Sequence, residues 1–170
     1  MLFVGGLTQH KGIGYALDAI KLLGTAVDFT MVGQRVGRSP CIESAIREHR
    51  WIPSIPHEGV LREMAQNDVL LLPSLSEGFG LVMLEALSRG VPVITTRNSG
   101  GPDIIRDGED GFFVPIRSAE AIAERLVLLD RDRDRLDAMS TCALQRARAH
   151  SWAGYRSLLV SVLRRVISPD

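Results

Sequence analysis

The sequence predicts an α/β domain in which six parallel strands form one sheet flanked by helices. Segments with strand and helix patterns alternate along the chain, which favours a parallel sheet with crossover helices. Residues 69–72 form a short continuous apolar run, as in strands that are buried on both faces. Glycine and proline mark turns at the intervals expected of one compact domain, and 170 residues suit a single domain.

The elements follow one another in regular order. Strands are predicted at residues 2–4, 28–32, 51–52, 69–72, 93–96 and 112–114. Helices are predicted between them at residues 15–23, 42–49, 58–66 and 81–89. The fourth of these helices is rich in good helix formers and stops at Gly90, and Pro92 follows as a breaker.

The last third of the chain predicts further helices. Ser118 is a good N-cap, and apolar residues recur after it at helical spacing. These residues are Ala119, Ile122, Leu126 and Leu129. Residues 131–135 alternate in charge sign, which predicts a solvated helix start that binds nothing. The final segment carries one apolar helical face, formed by Leu158, Leu159, Val162, Leu163 and Val166.

The turn between the fourth strand and the fourth helix carries the strongest functional signal. Gly78 and Gly80 lie where the backbone must turn sharply, and the first free amides of the helix point outward. An anion placed there gains from those donors and from the helix dipole. Glu77 in the turn and Glu85 inside the helix could flank the same crevice, and a carboxylate accepts two hydroxyl hydrogen bonds well. The pattern therefore favours a phosphorylated, hydroxyl-rich ligand over the alternative of a helix cap and a surface glutamate.

Residues 77–93 resemble the motif of glycosyltransferase family 4, in which two glutamates are separated by seven residues. The members of that family are retaining enzymes with the GT-B fold. Further ordered matches, which are more specific than one short motif, extend the resemblance over nearly the whole chain. They lie at residues 3–7, 11–12, 31–33, 68–74, 99–105, 107–112 and 151–152.

The resemblance implies a domain assignment. Residues 1–170 would form the C-terminal half of a GT-B fold, a Rossmann-like domain that binds the nucleotide-sugar donor. The N-terminal acceptor domain is expected to be absent from this chain. In the family the terminal helix tends to pack back across the junction between the domains, so its apolar face is expected to be exposed here.

The resemblance also implies roles for individual residues. Glu77 would bind hydroxyls of the donor sugar, Glu85 would bind the ribose hydroxyls, and Lys11 would neutralise the diphosphate leaving group. Backbone amides of the turn would line the sugar and diphosphate pocket. Glu77 and Lys11 are the predicted catalytic residues. The predicted donor-binding residues are Gly6, Lys11, Glu77, Gly78, Phe79, Gly80, Leu81 and Glu85.

Gly6 departs from the family pattern. The family usually carries an arginine at this position, as a second cation on the diphosphate, and Lys11 cannot replace its bidentate fork. Three outcomes stay open. Arg35 or Arg38 supplies the charge from the next loop, donor binding is weaker, or the donor differs.

The activity implied by the resemblance is hexosyl transfer with retention, from a nucleotide-diphosphate sugar to an acceptor in glycan or glycoconjugate biosynthesis. The acceptor could be a sugar, a lipid-linked glycan or a small molecule. The isolated domain is expected to be inactive, because proximity and water exclusion arise between the two halves. No cofactor and no metal are expected, since no paired aspartates present a site for a diphosphate-bridging cation. Two alternatives stay open: a GT-B nucleotide-sugar epimerase, and a non-catalytic module that binds nucleotide sugars or a partner.

Composition excludes several other classes. The 20 basic and 20 acidic residues cancel, which leaves no electrostatic footprint for nucleic acid. No apolar stretch approaches the roughly 20 residues that span a bilayer, so we expect no transmembrane segment and a cytoplasmic protein, with peripheral attachment at the inner membrane face as an alternative. Cys41 and Cys142 show no pairing pattern and are predicted to be small buried hydrophobes. His57 begins a zinc-protease-like pattern, but the second ligand is missing because residue 61 is leucine.

Overall fold

The computed structural model describes residues 1–167 and contains one sheet of six parallel strands. The strand order is β3-β2-β1-β4-β5-β6. The strands are β1 (Leu2–Val4), β2 (Thr30–Val32), β3 (Arg50–Ile52), β4 (Leu70–Leu72), β5 (Val93–Thr95) and β6 (Gly111–Phe113). This sheet confirms the predicted fold class, and each strand coincides with a predicted strand to within about two residues.

Eight α-helices accompany the strands in residues 1–167. They are α1 (Ile13–Leu23), α2 (Pro40–Glu48), α3 (His57–Ala65), α4 (Leu81–Ser88), α5 (Gly101–Ile104), α6 (Ala119–Arg131), α7 (Arg133–Ala149) and α8 (Trp152–Ile167). The N-cap at Ser118 is confirmed, because its Oγ accepts a hydrogen bond from the amide of Ala121 at 3.2 Å. A helix also starts within the charge-alternating stretch, where Asp132 caps α7 by accepting from the amide of Arg135 at 3.0 Å. Only the short α5 lies where the sequence predicted a loop.

Helices cover both faces of the sheet over two apolar clusters. Helices α1 and α6 pack together on one face, above Phe3, Met31 and Leu71. Helix α4 covers the other face, above Leu2 and Leu70, and α7 packs against α4. Because side chains alternate between the faces of a strand, adjacent residues of β1 and β4 belong to opposite clusters. The two clusters therefore hold the central strands rigidly from both sides.

The strand order reverses between β1 and β4. Strands β2 and β3 extend the sheet on one side of this boundary, and β5 and β6 extend it on the other. Leu2 and Leu70 pair across the boundary. The chain leaves β1 toward α1 on one face and leaves β4 toward α4 on the other, so the two loops open a crevice at the carboxyl edge of the sheet. Ligands of doubly wound sheets bind in such crevices.

Helix α8 lies on the surface, and the predicted exposure of its apolar face is confirmed. Trp152 is 68% exposed and Val166 is 72% exposed, and none of the helix's residues is buried. Large exposed apolar patches are uncommon on monomeric proteins and are typical of interaction sites. Within residues 1–167, no helix combines the length and the apolar character needed to cross a membrane.

The prediction of buried cysteines is wrong. Cys41 is exposed and Cys142 is half-buried. Cys41 lies in the first turn of α2, whose buried positions are Ile42 and Ala45, so residue 41 falls on the outer face of the helix. Cys142 precedes Ala143, which occupies the buried face of α7.

Candidate functional site

Two loops line the crevice, one after β1 and one after β4, and they touch over a short stretch. The amide of Leu75 donates to the carbonyl of His10 at 2.9 Å. Gly12 has a left-handed backbone with φ of 77°, and a Cβ built there would lie 2.0 Å from the carbonyl oxygen of Pro73. Only glycine fits this position. The glycine after Lys11 therefore lets the two loops come into contact.

This contact brings the two predicted catalytic residues together. The ammonium of Lys11 donates a hydrogen bond to Oε2 of Glu77. The Lys11 side chain is 27% exposed and the Glu77 side chain is 13% exposed, so the pair lies in the wall of the crevice and not on the open surface. The amide of Glu77 donates to the carbonyl of Asn98 at 2.8 Å, which fixes the backbone beneath the carboxylate.

The N-terminus of α4 opens beside this ion pair. Gly80 precedes the helix with φ of 81°, and no side chain caps the helix. A Cβ on Gly80 would lie 3.1 Å from Cγ of Glu77, so the glycine keeps the helix start close to the carboxylate. Phe79 and Leu81 are exposed next to it. The first amides of α4 are consequently available to an anion.

Gly78 has a different status from Gly80. Its φ is not left-handed, and a Cβ built on it would meet nothing within 4 Å. The predicted sharp turn is therefore located at Gly80 alone. Space is open at residue 78, on the exposed side of the turn.

Glu85 lies on α4, and its side chain is 30% exposed. His57, the first residue of α3, lies near it, with Nδ1 4.0 Å from Oε1 of Glu85. The structure thus places beside the predicted ribose-binding carboxylate a histidine whose sequence context indicated only an incomplete zinc-protease pattern. No local sequence pattern could identify this neighbour, because the contact depends on how α3 packs against α4.

Position 6 lies under the loop that follows β2. The amide of Leu7 donates to the carbonyl of Gln34 at 2.9 Å, and a Cβ on Gly6 would lie 3.6 Å from Cγ2 of Val36. Gly6 does not have a left-handed φ, so a larger side chain is sterically tolerated there. Arg35 lies 3.8 Å from Glu43 at the surface, and Arg38 is exposed. Whether either arginine supplies the second cation stays a prediction.

The side chains of the crevice suit one kind of ligand. A cation, a carboxylate and the positive end of a helix converge where the sheet order reverses. The cation and the helix amides can bind a phosphate or diphosphate, and the carboxylate can accept hydrogen bonds from hydroxyl groups. None of the described residues forms a group of three or more histidines, cysteines, aspartates or glutamates that could bind a metal ion.

Comparison with known proteins identifies the family. The model of the family described as glycosyl transferases group 1 matches residues 1–146. The chain belongs to this family. D-inositol 3-phosphate glycosyltransferase of Corynebacterium urealyticum is similar to it, with 33% identity over 177 residues that cover 95% of this chain and 42% of that protein. The chain spans about two fifths of the length of the curated relatives it matches.

Solved structures of glycosyltransferases share the fold of this group 1 family member. Anabaena HepE in complex with UDP has a TM-score of 0.82 at 18% identity, and the match covers 95% of this chain and 48% of that protein. The C-terminal domain of the group 1 protein LpcC from Francisella tularensis has a TM-score of 0.76 at 23% identity, over 88% of this chain and 84% of that domain. At these identities the likeness shows the fold alone.

Proposed function

We propose that this chain is the C-terminal, donor-binding domain of a retaining GT-B glycosyltransferase of family 4. It would bind a nucleotide-diphosphate sugar for hexosyl transfer to an acceptor in glycan or glycoconjugate biosynthesis. The exposed apolar face of α8 would pack against an N-terminal acceptor domain that precedes this segment in the full-length enzyme. The proposal rests on the family membership and on the arrangement of the crevice.

One observation carries the proposal: Lys11 and Glu77 form an ion pair beside the open N-terminus of α4. A diphosphate needs cations and amide donors, and a sugar needs a hydroxyl acceptor nearby. The crevice between the loops after β1 and β4 offers a cation, amide donors and a hydroxyl acceptor next to one another. That Anabaena HepE was solved with UDP supports a uridine nucleotide as the first ligand to test.

The proposed course of the reaction is the one that the family resemblance implies. Lys11 and the α4 amides would stabilise the negative charge that develops on the diphosphate when the bond to the sugar breaks. Glu77 would orient the sugar through its hydroxyls and form no covalent bond with it. The acceptor would attack from the face that the diphosphate leaves, and the departing phosphate would take the acceptor's proton. The second domain would supply the acceptor and exclude water, so the isolated chain would bind donor weakly and turn over little of it.

Calorimetric titration of the folded chain with a panel of nucleoside diphosphates and nucleotide sugars tests the proposal. Lys11→Ala and Glu85→Ala should each weaken binding at least tenfold, as expected when a charged hydrogen bond of about 1.5–3 kcal/mol is lost. Lys21→Ala is a matched control, because Lys21 pairs with Asp18 on the surface of α1. Equal binding by all four proteins would reject the proposed donor site.

A second function is favoured by Gly6. Without the usual arginine, the domain would bind nucleotide sugars or a partner without catalysing transfer. Replacing Glu77 by alanine in the full-length enzyme distinguishes the two functions. Loss of transfer with nucleotide binding and folding retained supports the enzyme, whereas a full-length wild-type protein that binds donor without transferring sugar supports the module.

A further inference from the structure

The segment that follows β5 runs alongside the turn that carries Glu77. Thr95 donates from Oγ1 to the carbonyl of Leu72 at 2.8 Å, and Thr96 donates from Oγ1 to the carbonyl of Ser74 at 2.6 Å. The first bond joins the last residues of β4 and β5, and the second continues the pairing beyond the end of the sheet. The turn that carries Glu77 is therefore bonded to the segment after β5 already at Ser74.

Asn98 makes two further bonds at the centre of this turn. Its side-chain amide donates from Nδ2 to the carbonyl of Leu75 at 2.9 Å. Its backbone carbonyl accepts from the amide of Glu77 at 2.8 Å. The two bonds enclose Ser76, so the backbone on both sides of that residue is tied to one asparagine. The second of them ends on the residue whose carboxylate faces Lys11.

The far end of the turn is fixed by Gly100. Its amide donates to the carbonyl of Phe79 at 3.0 Å, and a Cβ at this position would lie 2.7 Å from the same oxygen. For residues 75–79, Asn98 supplies the only described side chain that donates to the turn's backbone from this neighbouring segment. The side chain of Asn98 thus holds the turn at Leu75, two residues before Glu77, and the backbone of Asn98 holds the amide of Glu77 itself.

Burial separates Asn98 from the threonines. Thr95 and Thr96 are completely buried, so replacing either one would disturb the core as well as the turn. Asn98 is exposed, and its described bonds go to the backbone of the turn. Its replacement should therefore cost little global stability, since exposed substitutions usually have small effects.

We propose that Asn98 is a positioning residue for Glu77, and that it acts on the sugar part of the donor and not on the nucleotide part. This inference rests on the proposed function. The carboxylate of Glu77 can accept hydrogen bonds from sugar hydroxyls only while the turn keeps the Glu77 backbone in place. The cation and the helix amides that would bind the diphosphate belong to Lys11 and α4, and none of the described hydrogen bonds of Asn98 goes to either. Loss of the Asn98 side-chain bond should therefore loosen sugar recognition selectively.

Asn98→Leu is the sharpest variant, because it keeps the approximate size of the side chain, removes the Nδ2 donor and adds no charge. The probes are UDP and UDP-glucose, titrated into the full 170-residue chain and followed by NMR shifts. Asn98→Leu should weaken UDP-glucose binding about fivefold, the factor that corresponds to one ordinary hydrogen bond, and leave UDP binding unchanged within twofold. Arg97→Ala is the control. Arg97 lies next to Asn98 in the chain but stacks on Phe113 of β6, so its replacement should change neither affinity.

Hydrogen exchange gives a reading that needs no ligand. Asn98→Leu should speed exchange at the amide of Glu77 severalfold, while amides of β1 and β4 and the melting temperature stay unchanged. Unchanged exchange at Glu77, or an equal loss of affinity for both probes, overturns the role of Asn98. Failure of the wild-type chain to bind either probe would instead count against the proposed donor site, and the exchange measurement would still decide whether Asn98 positions the turn.

Discussion

Lys11 and Glu77 bind each other although 66 residues separate them in the chain. Each neutralises the group that the other would present to a donor. A diphosphate that enters the crevice must therefore take the ammonium away from the carboxylate, or share it with the carboxylate. The affinity for the proposed nucleotide ligand would then include the free energy of that exchange.

Glu77→Gln should raise the affinity for UDP. The substitution frees Lys11 and removes a negative charge near the diphosphate, and one such charge at about 4 Å in partly solvated surroundings is worth about 1 kcal/mol or more, or at least fivefold in binding. Calorimetric titration with UDP measures the effect. Glu63→Gln is the control, because Glu63 pairs with Arg50 at a different site. A weaker or equal affinity of Glu77→Gln for UDP would show that the ion pair does not compete with the nucleotide.

Gly12→Ala should destabilise the fold strongly. An alanine in this left-handed conformation costs about 1 kcal/mol. The close contact with the Pro73 carbonyl must open as well, so we expect a loss of about 3 kcal/mol or more in the free energy of unfolding. Gly37 also has a left-handed φ, of 73°, but a Cβ there would meet nothing within 4 Å. Gly37→Ala should therefore lose only the backbone part. Urea denaturation of both variants separates the two contributions, and equal losses would refute the close approach.

Gly6→Arg should strengthen nucleotide binding. The position has room for a side chain, and its φ suits any residue. A guanidinium that reaches the diphosphate adds a charge-assisted hydrogen bond of about 1.5–3 kcal/mol, which corresponds to a gain of at least tenfold in the affinity for UDP. Gly6→Met is the neutral control of similar length. If neither variant changes UDP binding, the diphosphate does not lie beside residue 6.

Breaking the ion pair of Asp110 and Arg146 should destabilise the fold strongly, because the Asp110 side chain is only 2% exposed. Its Oδ2 accepts from Nε of Arg146 at 3.0 Å, and its Oδ1 accepts from the amide of Arg106 at 2.8 Å. Arg146→Met leaves the buried carboxylate without its cation and should cost about 3–5 kcal/mol. The exposed pair of Arg133 and Asp68 offers the comparison, since Arg133→Met should cost less than about 1 kcal/mol. Similar losses of unfolding free energy would contradict this ranking.

Glu63 should make stability depend on acid pH. The hydrogen bond from Arg50, at 2.8 Å for Nη2, holds the pKa of the Glu63 carboxyl below its ordinary value of 4.5. A lowered pKa in the folded state contributes stability that is present above the unfolded pKa and is lost as the pH falls through the folded pKa. In Arg50→Met, the free energy of unfolding should therefore fall less steeply as the pH drops below about 4.5. Denaturation curves at several pH values measure it, and identical slopes would exclude the pair as the cause.

The strands and the helices that pack on them could be predicted from the sequence because their signals are local. The apolar run at residues 69–72 and the N-cap at Ser118 each depend on neighbouring residues. The partners of the site are not local. His57 comes near Glu85 only through helix packing, and Asn98 reaches the Glu77 turn only because β5 lies next to β4. The prediction that the cysteines are buried failed for a related reason, since residue type alone does not reveal which face of a helix a residue occupies.

The boundary between β1 and β4 also bears on the order of folding. Strands β1 to β3 and β4 to β6 can each pair with partners near in the chain, whereas Leu2 must find Leu70 across a much longer loop. Closing a longer loop costs more entropy, by about 0.6 kcal/mol for each doubling of length. We therefore expect the two halves of the sheet to form first and to join late. A nucleotide bound by Lys11 and α4 would then bridge the seam and slow its reopening, so the ligand would lengthen the lifetime of the fold.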